Sequence, residues 1–181
     1  MDIKMKLTKI IAAFCAALTF TTPVAADIPN IKGVFPASDL KKADENYDSI
    51  SLFARGTLID SGEFPAAPYY SDGKLMVPLR AVAESLGLRV EWNAETGEVN
   101  VDDDYIRRAT LFAGDTKASF KGHLKSINMD MEWDYGTPFT LVGDSLYVPV
   151  EFFEAFIYEV QYEISGGVLN VDITPQMAYL D

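Results

Sequence analysis

The chain has 181 residues and a net charge of −12 at pH 7, with one cysteine and one histidine. A charge of that sign repels nucleic acid and anionic lipid headgroups, which excludes a protein that binds phosphate backbones. One histidine and one cysteine also exclude a three-histidine copper centre or a His/Cys zinc site built from this chain alone.

At the N-terminus Lys4, Lys6 and Lys9 precede an uncharged run over 10–20, then Val24-Ala25-Ala26. That order predicts a secretory signal over 1–26 with cleavage after Ala26, or a tidier one starting at Met5. The apolar run is too short to span a bilayer comfortably. Cleavage would remove Cys15, so the mature chain forms no disulfide and depends on its core. Residues 27–48 are polar, with Pro29, Gly33 and Pro36, and read as an arm or linker.

From Ile50 the pattern changes. Ile50, Leu52 and Phe53 lead through Arg55-Gly56 to Leu58-Ile59, a short hairpin. Leu75-Met76-Val77 is an apolar strand running into Pro78, which suits a helix start. Leu79, Val82, Ala83 and Leu86 then fall at helical spacing, and Gly87 supplies a left-handed cap. Val90 and Trp92, a turn over 93–97, then Val99 and Val101 predict a closing hairpin, with Trp92 expected against the helix.

The same order returns about seventy positions later. Val148-Pro149 repeats Val77-Pro78, and Gly143, Leu146, Val160, Gly167, Asn170, Val171 and Asp172 match Gly73, Leu75, Val90, Gly97, Asn100, Val101 and Asp102. A period of this length marks one supersecondary unit used twice. Val150, Phe153 and Ile157 predict the second helix face, without a glycine cap, and Tyr162 stands where copy one has Trp92. The expected fold is α+β: two pseudo-repeats, each hairpin–strand–helix–hairpin, with antiparallel sheets packed on one helix each. The copies are placed at about 49–104 and 115–174, followed by a tail over 175–181. The short connector over 103–116 favours one packed body over two beads.

These residues resemble the copper amine oxidase N-terminal-like domain, also called the stalk domain, found in secreted and surface proteins of bacteria. The likeness rests on Pro68, Gly73, Val77-Pro78-Leu79-Arg80, Ala83-Glu84, Leu86-Gly87, Val90, Trp92 and Val99, and covers residues 50–173. Copy two keeps Val148-Pro149 but has Glu151 in place of the arginine, Ile157-Tyr158 for the leucine–glycine pair and Tyr162 for the tryptophan. The resemblance implies an extracytoplasmic module with no activity of its own.

The chemistry available is sparse. Asn46-Tyr47-Asp48 matches the core of the sequence in which amine oxidases build their quinone, but those enzymes need three histidines and this chain has only His123. His123 is expected to be a solvated turn residue, and Asp102-Asp103-Asp104 a solvated bend rather than a calcium loop. Glu132 and Asp134 alternate with Trp133 and Tyr135, which predicts an edge strand with a wet acidic face; a carboxylate pair for glycoside hydrolysis is the rarer reading. No catalytic residue, cofactor or metal is assigned. Tyr69, Tyr70, Trp133 and Tyr135 are the candidate binding surface, because aromatics near hairpin tips stack on sugars or anchor partners. The reading is a secreted, non-enzymatic binding or spacer unit at the cell envelope. Its alternatives are recognition of wall polysaccharide or peptidoglycan, and regulation of a secreted enzyme.

Overall fold

The computed structural model describes residues 31–33, 47–124 and 130–176. The signal segment over 1–26, most of the arm and the last five residues lie outside the described residues. Among the described residues no helix is long and apolar enough to cross a membrane.

The strands follow the hydrophobic pattern closely. β1 (Ile31–Gly33) precedes the hairpin β2 (Ser49–Ala54) and β3 (Thr57–Leu58). The pair β4 (Tyr69–Ser71) and β5 (Lys74–Pro78) leads into helix α1 (Leu79–Leu86), and β6 (Arg89–Asn93) and β7 (Glu98–Asp102) close copy one. β8 (Arg107–Phe112), β9 (Lys117–Gly122) and β10 (Met131–Asp134) follow. Copy two ends with β11 (Thr140–Val142), β12 (Ser145–Pro149), a 3-10 segment Val150–Phe156, β13 (Tyr158–Ser165) and β14 (Val168–Pro175).

The expected α+β class is wrong. Among the described residues the chain is mostly β, with 53% of them in strands arranged in three sheets and only short helical segments, not a helix packed on each sheet. Copy two lost its α-helix for a physical reason. The backbone turns left-handed at Gly87 (φ 86°) in copy one and at Ile157 (φ 62°) in copy two, so seven residues must cover what eight cover in α1. A 3-10 helix rises about 2.0 Å per residue against about 1.5 Å for an α-helix, so the shorter segment still spans the distance. Its three-residue turn puts Val150, Phe153 and Phe156 on one ridge, all buried. Ile157, expected on that face, is instead the cap.

The two copies meet through β5 and β12. They pair antiparallel, with Val77 opposite Val148, Pro78 opposite Tyr147 and Met76 opposite Pro149. Because Val77 and Val148 are equivalent in the repeat, a pseudo-twofold axis passes through that pair. β4 and β11 flank it, completing a four-stranded sheet in the order β11-β12-β5-β4. The turns differ by one position: Gly73 takes the second place of its two-residue turn, after Asp72, whereas Gly143 takes the first.

Each of the other sheets mixes the copies. β2 and β3 of copy one extend the sheet of copy two, in the order β1-β13-β14-β2-β3, with β2 parallel to β14. β9 and β10 of copy two extend the sheet of copy one, in the order β10-β9-β8-β7-β6. The stretch read as a connector supplies β8, whose Ala109 and Leu111 are fully buried in mid-sheet. A single apolar core joins Leu79, Val82, Ala83 and Leu86 of α1 to Phe120, Phe152, Phe153 and Val171. Phe152 sits between Phe120, Tyr135, Phe153 and Phe156, with ring centroids 5.5–6.1 Å apart. Arg55 ties the copies again, donating from Nη2 to the Leu86 carbonyl at 2.8 Å and to the Tyr158 hydroxyl at 3.1 Å.

Shared sheets make the copies unfold together. Trp92 and Trp133 sit on opposite edge strands of one sheet, contributed by copy one and copy two, so single-tryptophan variants (Trp92→Phe, Trp133→Phe) should give the same urea midpoint by fluorescence. Phe152→Ala should lower stability by about 3–5 kcal/mol, moving both reporters equally. Two separated transitions would contradict the shared core. Gly87→Ala should cost about 1 kcal/mol in the same assay. Nothing lies within 4 Å of the added methyl, so that cost comes from the backbone alone.

Candidate functional site

Asp102, at the end of β7, is buried, 3% exposed. The expectation of a solvated bend over 102–104 therefore fails at its first residue. Asp102 Oδ2 accepts from Arg108 Nε at 2.8 Å and from Arg89 Nη2 at 3.3 Å. Its Oδ1 accepts the Asp104 N–H at 2.8 Å and lies 2.7 Å from His123 Nε2. His123 is exposed in a bend, as expected of a solvated turn residue, and in addition reaches from the end of β9 to Asp102 on β7. Burial alone would raise the Asp102 pKa, but the hydrogen bonds from His123, the Asp104 amide and Arg108 outweigh it and lower it to about 2.

Asp102, Asp103 and His123 bring one ligand atom each within 4.8 Å of one another. They do not fit a metal ion. Two guanidinium groups already hold Asp102, and Asp103 Oδ1 accepts the N–H groups of Tyr105, Ile106 and Arg107. A cation would face Arg89 and Arg108 at close range and displace bonds that shape the loop.

The sequence-predicted aromatics separate. Tyr69 leans on Tyr147, with ring centroids 5.5 Å apart, and Tyr70 packs against the core. Trp133 stacks nearly parallel on Tyr135, with centroids 5.8 Å apart and planes at 15°. Trp133 is 39% exposed, while Tyr135 is buried with its hydroxyl pKa raised, first by burial and then by Glu154 and Glu151. β10 is the predicted edge strand, and all four of its residues are exposed, Met131 and Trp133 included. Its acidic side chains are engaged: Glu132 accepts from Lys117 Nζ at 3.0 Å, and Asp134 accepts the Gly136 N–H at 2.9 Å.

A second polar group lies under copy two. Glu151, which replaces the arginine of copy one, pairs with Lys74 Nζ at 3.1 Å across the copies, and its other oxygen is buried. Glu154 sits three residues on, on the same ridge of the 3-10 segment, and its pKa is raised by burial and by Glu151.

The groove was not anticipated. An open, mostly apolar cleft of about 360 Å³ is lined by Leu79 and Arg80 of α1, Val90 and Trp92 of β6, and Leu141 and Asp144 of the β11–β12 hairpin. Its size falls at the low end of ligand sites, about 300–1,000 Å³. Trp92, expected against the helix, is 42% exposed at its rim. The alternation in β6 marks Trp92 as apolar-facing; that the sheet stops at β6 was not readable locally. Arg80 spans the cleft's edge, donating from Nη1 to Glu84 at 3.2 Å and to the Val90 carbonyl at 3.3 Å.

Residues 56–171 match the family described as Copper amine oxidase N-terminal domain. No curated protein and no solved structure matched the chain.

Asp102 makes a pH test possible. Its folded pKa lies below the unfolded value of 3.8, so it adds stability above about pH 4 that disappears as pH falls through about 2. A separation of nearly two pKa steps corresponds to about 2 kcal/mol. Urea unfolding at pH 5 and at pH 2 should show the stability gap between wild type and Asp102→Asn shrinking by about that amount. A gap independent of pH would mean that the carboxylate is not clamped.

Proposed function

The chain belongs to the copper amine oxidase N-terminal domain family, and we propose that it works outside the cytoplasm as a binding or spacer unit at the cell envelope. The family's domain is a non-catalytic module. The observation that carries the reading is the interlocking of the copies. Both repeats share one core and exchange hairpins, which yields a stiff body suited to holding its surfaces apart or presenting them. The polar groups that attract a catalytic reading are spent on architecture: His123 and Asp102 clamp β9 to β7, and Glu132 holds Lys117. Extracytoplasmic placement rests on the signal-like order of residues 1–26.

Glycan recognition is the second reading, and one observation favours it. Trp133 lies flat on Tyr135 with much of its face open, and such a platform stacks on sugar rings. Co-sedimentation of the mature protein with purified cell walls tests both. Retention is the expected outcome, and a drop of about tenfold on Trp133→Ala would assign it to the platform. A protein that stays wholly in the supernatant would sink envelope binding, and retention untouched by Trp133→Ala would remove the glycan reading.

A further inference from the structure

β6 ends its sheet, and among the described residues no strand pairs with the main-chain groups of its outer edge. Asp103 N–H donates to the Arg107 carbonyl in the β7–β8 ladder, so the odd-numbered residues of β7 point to β8 and the even-numbered ones to β6. The partners of the even residues on β6 are Arg89, Glu91 and Asn93. Val90 and Trp92 therefore turn their N–H and C=O groups outward, as the bond from Arg80 to the Val90 carbonyl confirms. No strand among the described residues pairs with that edge.

The pseudo-twofold shows what such an edge accepts. β13 is the equivalent of β6, and Tyr162 the equivalent of Trp92. There the edge is covered: β1 pairs antiparallel with β13, placing Gly33 opposite Tyr162 and Ile31 opposite Ile164. The equivalent side chains also differ, with Tyr162 5% exposed and Trp92 42%. Among the described residues, copy one has the slot without the strand.

We propose that the β6 edge accepts an extended segment of a partner protein, antiparallel beside Trp92, with apolar residues alternating with lysine or arginine. Main-chain bonds would supply affinity, and alternate side chains the specificity. The apolar residues would enter the groove over Leu79, Trp92 and Leu141. Basic residues suit the rest because the chain carries −12 overall and carboxylates outnumber guanidinium groups beside β6. Asp144 lines the groove, and Glu91 lies on β6 with its side chain 59% exposed. The nearby cations are engaged: Arg80 with Glu84, while the single Arg89 is shared by Glu91, Asp102 and Asp104. A glycan would use Trp92 but leave the strand edge unpaired, so the peptide is the better fit. This inference deepens the binding reading. It is independent of wall retention, which concerns Trp133.

A synthetic heptapeptide alternating lysine and valine is the probe, titrated calorimetrically against the full mature protein at low salt. It should bind, and Trp92→Ala should weaken it by about tenfold or more while Trp133→Ala leaves it unchanged. N-methylation of its valines, which removes main-chain donors, should also weaken it by about tenfold or more, and glutamates in place of the lysines should abolish binding. Trp92 is exposed, so Trp92→Ala should keep the wild-type melting temperature, which separates lost binding from lost folding. Absence of binding, equal binding of the N-methylated or acidic peptide, or loss on Trp133→Ala alone would overturn the proposal. So would sedimentation showing that a second copy of the chain fills the edge, or displacement of the peptide by wall glycan.

Discussion

The antiparallel contact between Val77 and Val148 is the constraint on which the molecule depends. It joins identical residues of the two repeats on one axis, and everything placed by that axis follows in pairs. β4 and β11 flank it, and α1 and the 3-10 segment leave its ends. The closing hairpins then stand far enough apart for each to accept strands from the other copy. Because β2 sits on β14 and β9 shares a sheet with β7, neither copy can bury its apolar face alone. A small sheet with one helix is marginal by itself, and exchange is how about 65 residues become part of a larger core.

The repeats have diverged where the shared architecture allows. Copy one keeps a regular helix closed by Gly87. Copy two is one residue short and forces Ile157 into the left-handed region, which a β-branched residue enters only under strain. Three phenylalanines replace the smaller helix face and fill the space below, while Glu151 turns an arginine position into half of an ion pair with Lys74 of the other copy. Chemistry that looks functional in one repeat thus becomes structural when the two are assembled.

Much of the local structure was legible. The i, i+3, i+4, i+7 spacing of Leu79, Val82, Ala83 and Leu86 marks a buried helix face, and the alternation in 90–101 and 160–173 marks hairpins, because both periods are set by backbone geometry. The second helix was misread because its apolar residues fit a three-residue turn as well as a 3.6-residue one. The fold disperses the candidate binding aromatics. Tyr69, Tyr70 and Tyr135 were grouped by type and position, whereas the fold buries or half-buries each. Trp92 was placed inside because alternation says which face a side chain takes, not whether another layer covers that face.

The sequence by itself determined the repeat, the hairpins over 90–101 and 160–173, the first helix and its cap, and the family, since these rest on local geometry and on residues a few positions apart. Local alternation marks β10 as an edge, but only the tertiary structure decided that β6 ends its sheet and that β13 does not. Those outcomes depend on how strands distant in sequence pair, as β1 does with β13 more than a hundred positions away. The assembled sheets bury Asp102 beside Arg108 and His123, pair β1 with the β13 edge, and leave the β6 edge without a strand among the described residues and Trp92 exposed.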